Sequence, residues 1–376
     1  MGVPSEFYKD YPVQNEHITP IDFNSMKQIP ESHAWVESND FECPLDKKHN
    51  LDLESIPVID IEDSNASELI FHACVTWGMF QISNHGISTK VLEEVESQTR
   101  KLFNLPLEQK MKVLRSPEGA MGYGSPRISP FFSKLMWYEG FTIMENSFVD
   151  HAKVIWPSDY QEFWTFPEEP FVLYVIVSLL RISNVMDEYQ TRMKGLAEKL
   201  MGLILKSLQI PESDGIWKIQ DPTRGPKSMS TALQLNSYPS CPDPARSMGL
   251  APHTDTSLFT ILHQSGNISG LRLFKDGLGW IRVDPRPGTL VVNVGDLLHI
   301  ISNARFPNVV HKAVVNKEKH RISLAYFYGP PLDFEMSPFL GYRACEGPCF
   351  RSLKVSEYVS LKAKHLDLAL SHVRIG

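Results

Sequence analysis

The chain has 376 residues, 42% of them hydrophobic and 22% charged, which allows about two to three domains and excludes disorder or a fibrous structure for the whole chain. Lysine and arginine number 37 against 44 acidic residues, and the net charge of −7 gives no basic excess that would attract nucleic acid or an anionic membrane. The five cysteines are scattered and odd in number, which favours a reducing compartment. We therefore expect a small-molecule partner rather than a nucleic acid or a membrane.

The sequence contains no predicted membrane span or targeting segment. Its longest apolar run, residues 171–180, is much shorter than the ~20 residues that a membrane-spanning helix needs. The first residues lack the apolar core of a signal peptide. These features predict a cytoplasmic protein, and a monomer is the default expectation.

Taken in chain order, the first half of the chain is predicted to be an arm followed by a mostly helical region. Residues 1–55 are polar and interrupted by prolines, which predicts an irregular arm that wraps around the fold or stays loose. Residues 56–225 then combine short β-runs with helical spacing. The elements predicted there are a β-run at 56–61, a helix at 66–77, a strand at 79–83, helical spacing over 91–114 with a break at Pro106, and an amphipathic helix at 189–208.

The second half changes to short β-runs separated by glycine, proline and aspartate, which is typical of a sandwich or barrel. We assign residues 226–340 to this β-domain and residues 341–376 to a helical tail. Asp276-Gly277 between two β-runs predicts a hairpin. The predicted strands are 233–238, 258–262, 271–274, 280–283, 289–294, 309–316 and 321–328. The fold class is therefore α+β.

Two imidazoles and a carboxylate form the clearest chemical pattern. One residue separates His253 from Asp255, so on an extended chain both side chains point to the same face. His311 lies in another predicted strand. Two histidines and one carboxylate are the ligand set of non-heme Fe(II) oxygenases, which leaves coordination positions open for a co-substrate and O2. We predict that these three residues bind Fe(II) and form the catalytic centre.

A second pattern predicts a carboxylate-binding site. Arg321 and Ser323 lie on one face of an otherwise apolar strand, and a buried arginine needs an anion. No acid within that strand offers a partner, so the guanidinium is free to bind a carboxylate co-substrate. Tyr238 and Asn236 end an upstream strand from which they are expected to reach the same bound acid.

Together, these residues carry a family resemblance. The pattern His253-x-Asp255, His311 and Arg321-x-Ser323, preceded by the Asn-x-Tyr-Pro-x-Cys-Pro segment 236–242, resembles the plant 2-oxoglutarate- and Fe(II)-dependent dioxygenases. Residues 77–87 resemble the N-terminal signature of that family. Segments 30–35, 131–143 and 248–255 are most similar to the gibberellin 3-beta-dioxygenases, also called gibberellin 3-oxidases.

The resemblance implies a double-stranded β-helix (jelly roll, cupin-like) with flanking helices and an N-terminal helical region. It implies Fe(II) on His253, Asp255 and His311, with 2-oxoglutarate and O2 as co-substrates and ascorbate as reductant. The implied reaction is 3β-hydroxylation of gibberellin precursors to the bioactive hormones. As residues that line the substrate pocket it suggests Phe131, Trp137 and Tyr326, and Arg127 as anchor for the gibberellin carboxylate. Trp137 and the phenylalanines also fit an ordinary hydrophobic core.

One segment departs from the family pattern. Over residues 164–183 the chain carries Pro167 and Pro170 and an apolar, β-prone run where the family has one continuous helix. Our hypothesis is that this segment is a gene-model artefact such as a translated intron; a lineage-specific insertion is the alternative.

Two other functions are compatible with the same motifs. A related oxygenase could act on another gibberellin position or another plant metabolite, because scaffold motifs do not encode the oxidised carbon. A non-catalytic small-molecule binding module could also keep this fold, although the intact ligand set argues against it.

Overall fold

The computed structural model describes residues 12–35, 55–144, 185–210, 229–341 and 347–375. The segment 164–183, on which the artefact hypothesis rests, lies outside the described residues. The described α-helices are α1 (Ala66–Trp77), α2 (Thr89–Phe103), α3 (Leu107–Met111), α4 (Val185–Ser207), α5 (Asp296–Ile301) and α6 (Val355–His365).

The described strands form two facing sheets and a small ribbon. They are β1 (Val58–Asp60), β2 (Met79–Ser83), β3 (Gly122–Gly124), β4 (Glu139–Met144), β5 (Ser230–Tyr238), β6 (Leu250–His253), β7 (Phe259–Gln264), β8 (Leu271–Lys275), β9 (Gly279–Val283), β10 (Leu290–Val294), β11 (His311–Ala313), β12 (Arg321–Gly329), β13 (Glu335–Met336) and β14 (Leu353–Lys354). The major sheet has the order β1-β2-β10-β7-β12-β5-β4-β3, and the minor sheet has the order β6-β11-β8-β9. This arrangement confirms the predicted jelly-roll core with flanking helices.

The period-two alternation of β12 separates the two faces of the major sheet. Its even-numbered residues Ile322, Leu324 and Tyr326 join the hydrophobic cluster that includes helix α4. Its odd-numbered residues from Arg321 to Phe327 face a cavity between the sheets. One face of the sheet therefore packs against helices, while the other carries the chemistry.

Helix α4 covers the first of these faces, as its apolar spacing predicts. Met193, Leu196, Leu200 and Ile204 are buried at three- and four-residue intervals, in one cluster with Leu235 of β5. The helix also packs against α1 and α2. The amphipathic helix therefore lies against the sheet.

The described part of the N-terminal region contains strands as well as the helices α1 to α4. It contributes β1 to β4 to the same major sheet, with β4 paired to β5 and β2 paired to β10. The described part of the arm, residues 12–35, packs beside this sheet. Ser125 donates from its backbone nitrogen to the Ile18 carbonyl at 2.7 Å, and the Trp35 indole donates to the Leu135 carbonyl at 2.9 Å.

The predicted hairpin is also present. Strands β8 and β9 pair from Leu271–Val283 to Lys275–Gly279, which leaves a three-residue loop centred on Gly277. The φ of Gly277 is 80°, the left-handed value that glycine adopts without strain.

Candidate metal and co-substrate site

Two strands of the minor sheet bring the predicted iron ligands together. His253 ends β6 and lies directly opposite His311, which begins β11, while Asp255 follows in the loop after β6. The Nε2 atoms of His253 and His311 are 3.7 and 3.8 Å from Asp255 Oδ1. One donor atom from each residue lies within 4.8 Å of the others, and all three side chains are buried. These distances suit three ligands around one ion.

Backbone carbonyls fix the orientation of both imidazoles. His253 Nδ1 donates to the Ala251 carbonyl at 2.8 Å, and His311 Nδ1 donates to the Val309 carbonyl at 3.1 Å. Each bond keeps the proton on Nδ1 and leaves the Nε2 lone pair available, which is the usual arrangement around histidine metal ligands. Burial, and then the nearby His311, lowers the pKa of His253 to about 4, so this ring is neutral at physiological pH.

Asp255 is held as a carboxylate. Burial alone would raise its pKa, but the two imidazoles and hydrogen bonds from Thr260 and Asn293 hold the pKa below its ordinary value. Its Oδ1 faces both imidazoles, while Oδ2 lies 3.5 Å from the Asn293 amide nitrogen. Neutral imidazole and ionised carboxylate are the states in which these groups bind a divalent ion, so the residues present fit Fe(II).

The loop that carries Asp255 packs closely on the start of α5. Asp296 donates from its backbone nitrogen to the Asp255 carbonyl at 2.8 Å. A Cβ at Gly295 would lie 2.0 Å from the Ser257 carbonyl oxygen, so only glycine permits this approach. The position of the carboxylate ligand thus depends on the β10–α5 junction.

Arg321 supplies the positive charge of the co-substrate site. It begins β12, is only 2% exposed, and donates from Nη2 to Gln264 Oε1 at 3.0 Å. Its Cζ lies 5.0 Å from the Tyr238 ring centroid. Nε and Nη1 make no hydrogen bond of normal geometry with the described residues. A buried guanidinium with two unused donors is the partner that an incoming carboxylate requires.

Gly270 makes room for this guanidinium. A Cβ on Gly270 would lie 2.6 Å from Cδ and 2.8 Å from Nε of Arg321, well inside contact distance. The loop before β8 therefore fixes where the arginine lies.

The other predicted co-substrate residues adjoin Arg321 on paired strands. Tyr238 and Asn236 of β5 lie opposite Arg321 and Ser323 of β12, and the Asn236 amide donates to Ser323 Oγ at 3.4 Å. Burial raises the pKa of Tyr238, which keeps it a phenol that can donate a hydrogen bond. All four side chains line the cavity that also contains the three ligand candidates.

This cavity, of about 740 Å³, lies between the two sheets. Four of the polar side chains that line it are connected by hydrogen bonds. Tyr138 donates from its hydroxyl to Asn236 Oδ1 at 2.8 Å, Gln234 donates from Nε2 to the Tyr138 hydroxyl at 2.9 Å, and Thr142 donates to Gln234 Oε1 at 2.5 Å. The mixture of apolar walls and a few directed polar groups is typical of a small-molecule site.

Arg127 and Phe131 both line the cavity, but Trp137 and Tyr326 lie elsewhere. The proposed lining roles of Trp137 and Tyr326 are therefore corrected by the structure. Tyr326 is an even-numbered residue of β12 and faces the helices. Trp137 is fully buried beside Phe23 of the arm, with ring centroids 4.9 Å apart, so the alternative of an ordinary core residue holds. Tyr138 lines the cavity in its place.

Several cavity residues were not found by sequence reasoning. They are Asn293, Lys362 of α6, and His17 and Gln14 of the arm. Gln264, which accepts the hydrogen bond from Arg321, was missed as well. Asn293 is the one polar residue of the apolar strand β10, a signal that could have identified it. The sequence spacing carries no sign that Lys362 and the arm residues reach this cavity, because the contacts join parts of the chain far apart in sequence.

None of the helices in the described ranges is long and apolar enough to cross a membrane.

Comparisons with known proteins agree with this geometry. The 2OG-Fe(II) oxygenase superfamily profile matches residues 230–330, and the profile of the N-terminal region of the non-haem dioxygenase in morphine synthesis matches residues 56–165. Gibberellin 3-beta-dioxygenase 1 of Pisum sativum is 45% identical over 379 aligned residues, which cover 99% of this chain and 93% of the pea protein. Gibberellin 3-beta-dioxygenase 3 of Arabidopsis thaliana is 40% identical, with 100% of both chains covered.

Solved structures show the same fold. The crystal structure of JOX2 in complex with 2OG, Fe and JA has a TM-score of 0.73 and 26% sequence identity, and the match covers 93% of this chain and 95% of that chain. The dioxygenase for auxin oxidation in rice has a TM-score of 0.64 at 24% identity, over 85% of this chain and 100% of that one, a likeness of fold.

Proposed function

The chain belongs to the gibberellin 3-beta-dioxygenases, within the 2OG-Fe(II) oxygenase superfamily, and from this premise we infer that it hydroxylates gibberellin precursors at the 3β position. The observation that supports the inference most is the full-length similarity to several such enzymes, joined to a complete ligand set and carboxylate site. The enzyme is an Fe(II)- and 2-oxoglutarate-dependent dioxygenase of gibberellin biosynthesis.

We propose that His253, Asp255 and His311 hold the iron, with both histidines bound through Nε2. When bound, Fe(II) supplies the oxidative chemistry by which O2 and 2-oxoglutarate yield a hydroxylated product, succinate and CO2. The carbonyls of Ala251 and Val309 hold the imidazoles in the ligating tautomer. Asn293 engages Oδ2 of Asp255, which directs Oδ1 toward the two imidazoles.

We propose that the distal carboxylate of 2-oxoglutarate binds Arg321 and Ser323, with Tyr238 and Asn236 beside them. The support is the pair of unused guanidinium donors, Nε and Nη1, in a buried site that lines the same cavity as the iron ligands. A carboxylate placed there would neutralise a desolvated charge and orient the keto acid toward the metal. All seven of these residues lie in 226–340, which supports the proposed catalytic domain.

The remaining cavity is the proposed gibberellin site. Arg127 and Phe131 line it from the segment between β3 and β4. We propose that Arg127 binds the gibberellin carboxylate and that Phe131 contacts the hydrocarbon skeleton. One ionic anchor and apolar walls would hold a rigid substrate so that a single C–H bond faces the metal.

Three further features complete the proposal: the protein is a monomer, acts in the cytoplasm and uses ascorbate as reductant. Few large apolar side chains of the described residues are exposed, which supports a monomer. Size-exclusion chromatography with light scattering would measure the oligomeric state, and assays with and without ascorbate would measure its effect.

The proposal is tested by product analysis. Purified protein is loaded anaerobically with Fe(II) and 2-oxoglutarate, mixed with a panel of gibberellin precursors, and started with O2, and the products are identified by mass spectrometry and NMR. The expected result is a 3β-hydroxylated gibberellin. His253→Ala should abolish the product, while His263→Gln, a buried histidine outside the cavity, should retain it.

Either of two results would contradict the proposal. Hydroxylation at another carbon, or of another metabolite only, would assign the chain to a related oxygenase. Absence of any substrate-dependent succinate from iron-loaded protein would favour a non-catalytic binding module. The role of Arg127 is tested with Arg127→Met. If this variant has the wild-type KM for the gibberellin precursor, Arg127 does not bind the gibberellin carboxylate.

A further inference from the structure

A buried lysine from the C-terminal helix reaches the loop that carries the iron ligands. Lys362 of α6 is 8% exposed, and its Nζ donates to Thr254 Oγ1 at 2.6 Å. Thr254 is the residue between His253 and Asp255. The lysine therefore contacts the ligand loop directly, although it lies 107 residues after Asp255 in the sequence (362 minus 255).

Asp296 connects the same lysine to the loop by a second route. Its Oδ2 lies 2.9 Å from Lys362 Nζ and accepts a hydrogen bond from the Tyr358 hydroxyl at 2.9 Å. Its Oδ1 accepts from the Asn308 amide at 2.7 Å. Its backbone nitrogen donates to the Asp255 carbonyl, as described above. Asp296 thus joins α6 to the iron-ligand loop, because its buried carboxylate binds Lys362 and Tyr358 of α6 while its backbone nitrogen binds the loop.

Helix α6 also forms a wall of the cavity. Val359, Lys362 and Ala363 line it, together with Leu366 just beyond the helix. A shift of α6 would therefore change both the cavity wall and the contact with Thr254. Lys362 makes the direct polar contact between α6 and Thr254, and Asp296 holds this lysine together with Tyr358 of the same helix.

A second buried lysine provides a comparison. Lys110 and Glu139 form an ion pair at 2.6 Å, with side-chain exposures of 6% and 5%, similar to those of Lys362 and Asp296 at 9% and 0%. Neither Lys110 nor Glu139 lines the cavity. The two pairs are thus matched in burial and charge, but only the Lys362 pair contacts the ligand loop.

We propose that Lys362 is a positioning residue for the metal site: paired with Asp296, it holds Thr254 and so fixes the spacing of His253 and Asp255. The inference rests on the proposed function in that these residues bind Fe(II). Groups that orient metal ligands commonly change metal affinity when replaced, by about 10- to 100-fold. Lys362 should therefore affect metal binding itself, before any substrate is present.

The test measures Mn(II), a redox-stable substitute for Fe(II), binding to the full-length apo-protein by EPR titration with saturating 2-oxoglutarate. Lys362→Met should weaken Mn(II) binding by about tenfold or more. Thr254→Val, which removes the acceptor and leaves the Lys362–Asp296 pair intact, should weaken it in the same direction. Lys110→Met is the matched control, which should lower the melting temperature and leave the Mn(II) Kd within about twofold of wild type.

A Lys362→Met protein that loses thermal stability but keeps the wild-type Mn(II) Kd would overturn the proposal. If Lys362→Met does not fold, Thr254→Val decides, and an unchanged Mn(II) Kd in that variant would also overturn it. Failure to oxidise a gibberellin would refute the proposed function but would leave the comparison of Mn(II) affinities intact, so the two failures are distinguishable.

Discussion

Replacement of Arg321 by methionine should have opposite effects on co-substrate binding and on the stability of the apo-protein. The guanidinium is buried beside the Tyr238 hydroxyl, and two of its nitrogens make no hydrogen bond of normal geometry with the described residues. Methionine is uncharged and matches the aliphatic stem of arginine but lacks its planar end, so the variant removes a desolvated cation, and the freed space adjoins the cavity that Arg321 lines. The same change removes the donors that we assign to the 2-oxoglutarate carboxylate.

The expected magnitudes follow from these contacts. Each hydrogen bond between charged groups contributes ~1.5–3 kcal/mol, so two of them give about 3–6 kcal/mol, a loss of roughly 10²- to 10⁴-fold in 2-oxoglutarate affinity. Without ligand, relief of the buried charge should make the apo-protein about 1–3 kcal/mol more stable. The bond to Gln264 and the contact with the Tyr238 ring offset part of that gain.

The assay is urea unfolding with and without 2-oxoglutarate and Mn(II). Wild type should gain about 2.7 kcal/mol at a ligand concentration 100 times its Kd, whereas Arg321→Met should gain almost nothing. Arg321→Lys, which keeps the charge but not the two parallel donors, should fall between them. An apo Arg321→Met protein less stable than wild type, or one with near-normal 2-oxoglutarate affinity, would refute the assignment.

Three further predictions concern neighbouring groups. Gly270→Ala places a Cβ 2.6 Å from Arg321 Cδ, so we expect the KM for 2-oxoglutarate to rise roughly 10- to 100-fold with kcat little changed; an unchanged KM would show that the guanidinium can move freely. Asn293→Ala removes the donor to Asp255 Oδ2 and should weaken Mn(II) binding about tenfold by EPR titration; equal affinity would exclude this orienting role. Burial lowers the pKa of His263 from 6.5 to about 4, so its contribution to stability is present above pH 6.5 and is lost as the pH falls toward 4, by up to ~1.4 kcal/mol per pH unit. By urea unfolding, the free energy of unfolding of His263→Leu should differ less between pH 7 and pH 5 than that of wild type. An equal difference in both proteins would contradict the buried neutral state of His263.

Much of the catalytic half is predictable because its signals are local. The period-two alternation of β12 places Arg321 and Ser323 on one face. His253 ends β6 and Asp255 follows in the loop, yet the two side chains meet at 3.7 Å as their spacing predicts. The helix over 66–77 and the strand over 79–83 occur where the sequence predicts them. The third ligand, His311, was predicted from the usual ligand set of two histidines and one carboxylate. In the structure His311 lies directly opposite His253.

The errors arise where the outcome depends on distant contacts. Large aromatic residues at Trp137 and Tyr326 fit a hydrophobic pocket as well as a core. The strand face decides for Tyr326, and packing against Phe23 of the arm decides for Trp137. Lys362 lies on a helix whose own sequence has no chemical pattern, and its role depends on Asp296 and Thr254, 66 and 108 residues earlier (362 minus 296 and 362 minus 254). Such contacts require the fold, because no local period relates them.

The most direct test of the account is turnover of a gibberellin precursor under ¹⁸O2, with mass spectrometry of both products. One oxygen atom should enter succinate and the other the new 3β-hydroxyl group, in equal amounts, and His253→Ala should give neither. Labelled succinate without any hydroxylated gibberellin would show that the chain consumes 2-oxoglutarate without oxidising the gibberellin, which would contradict the central claim.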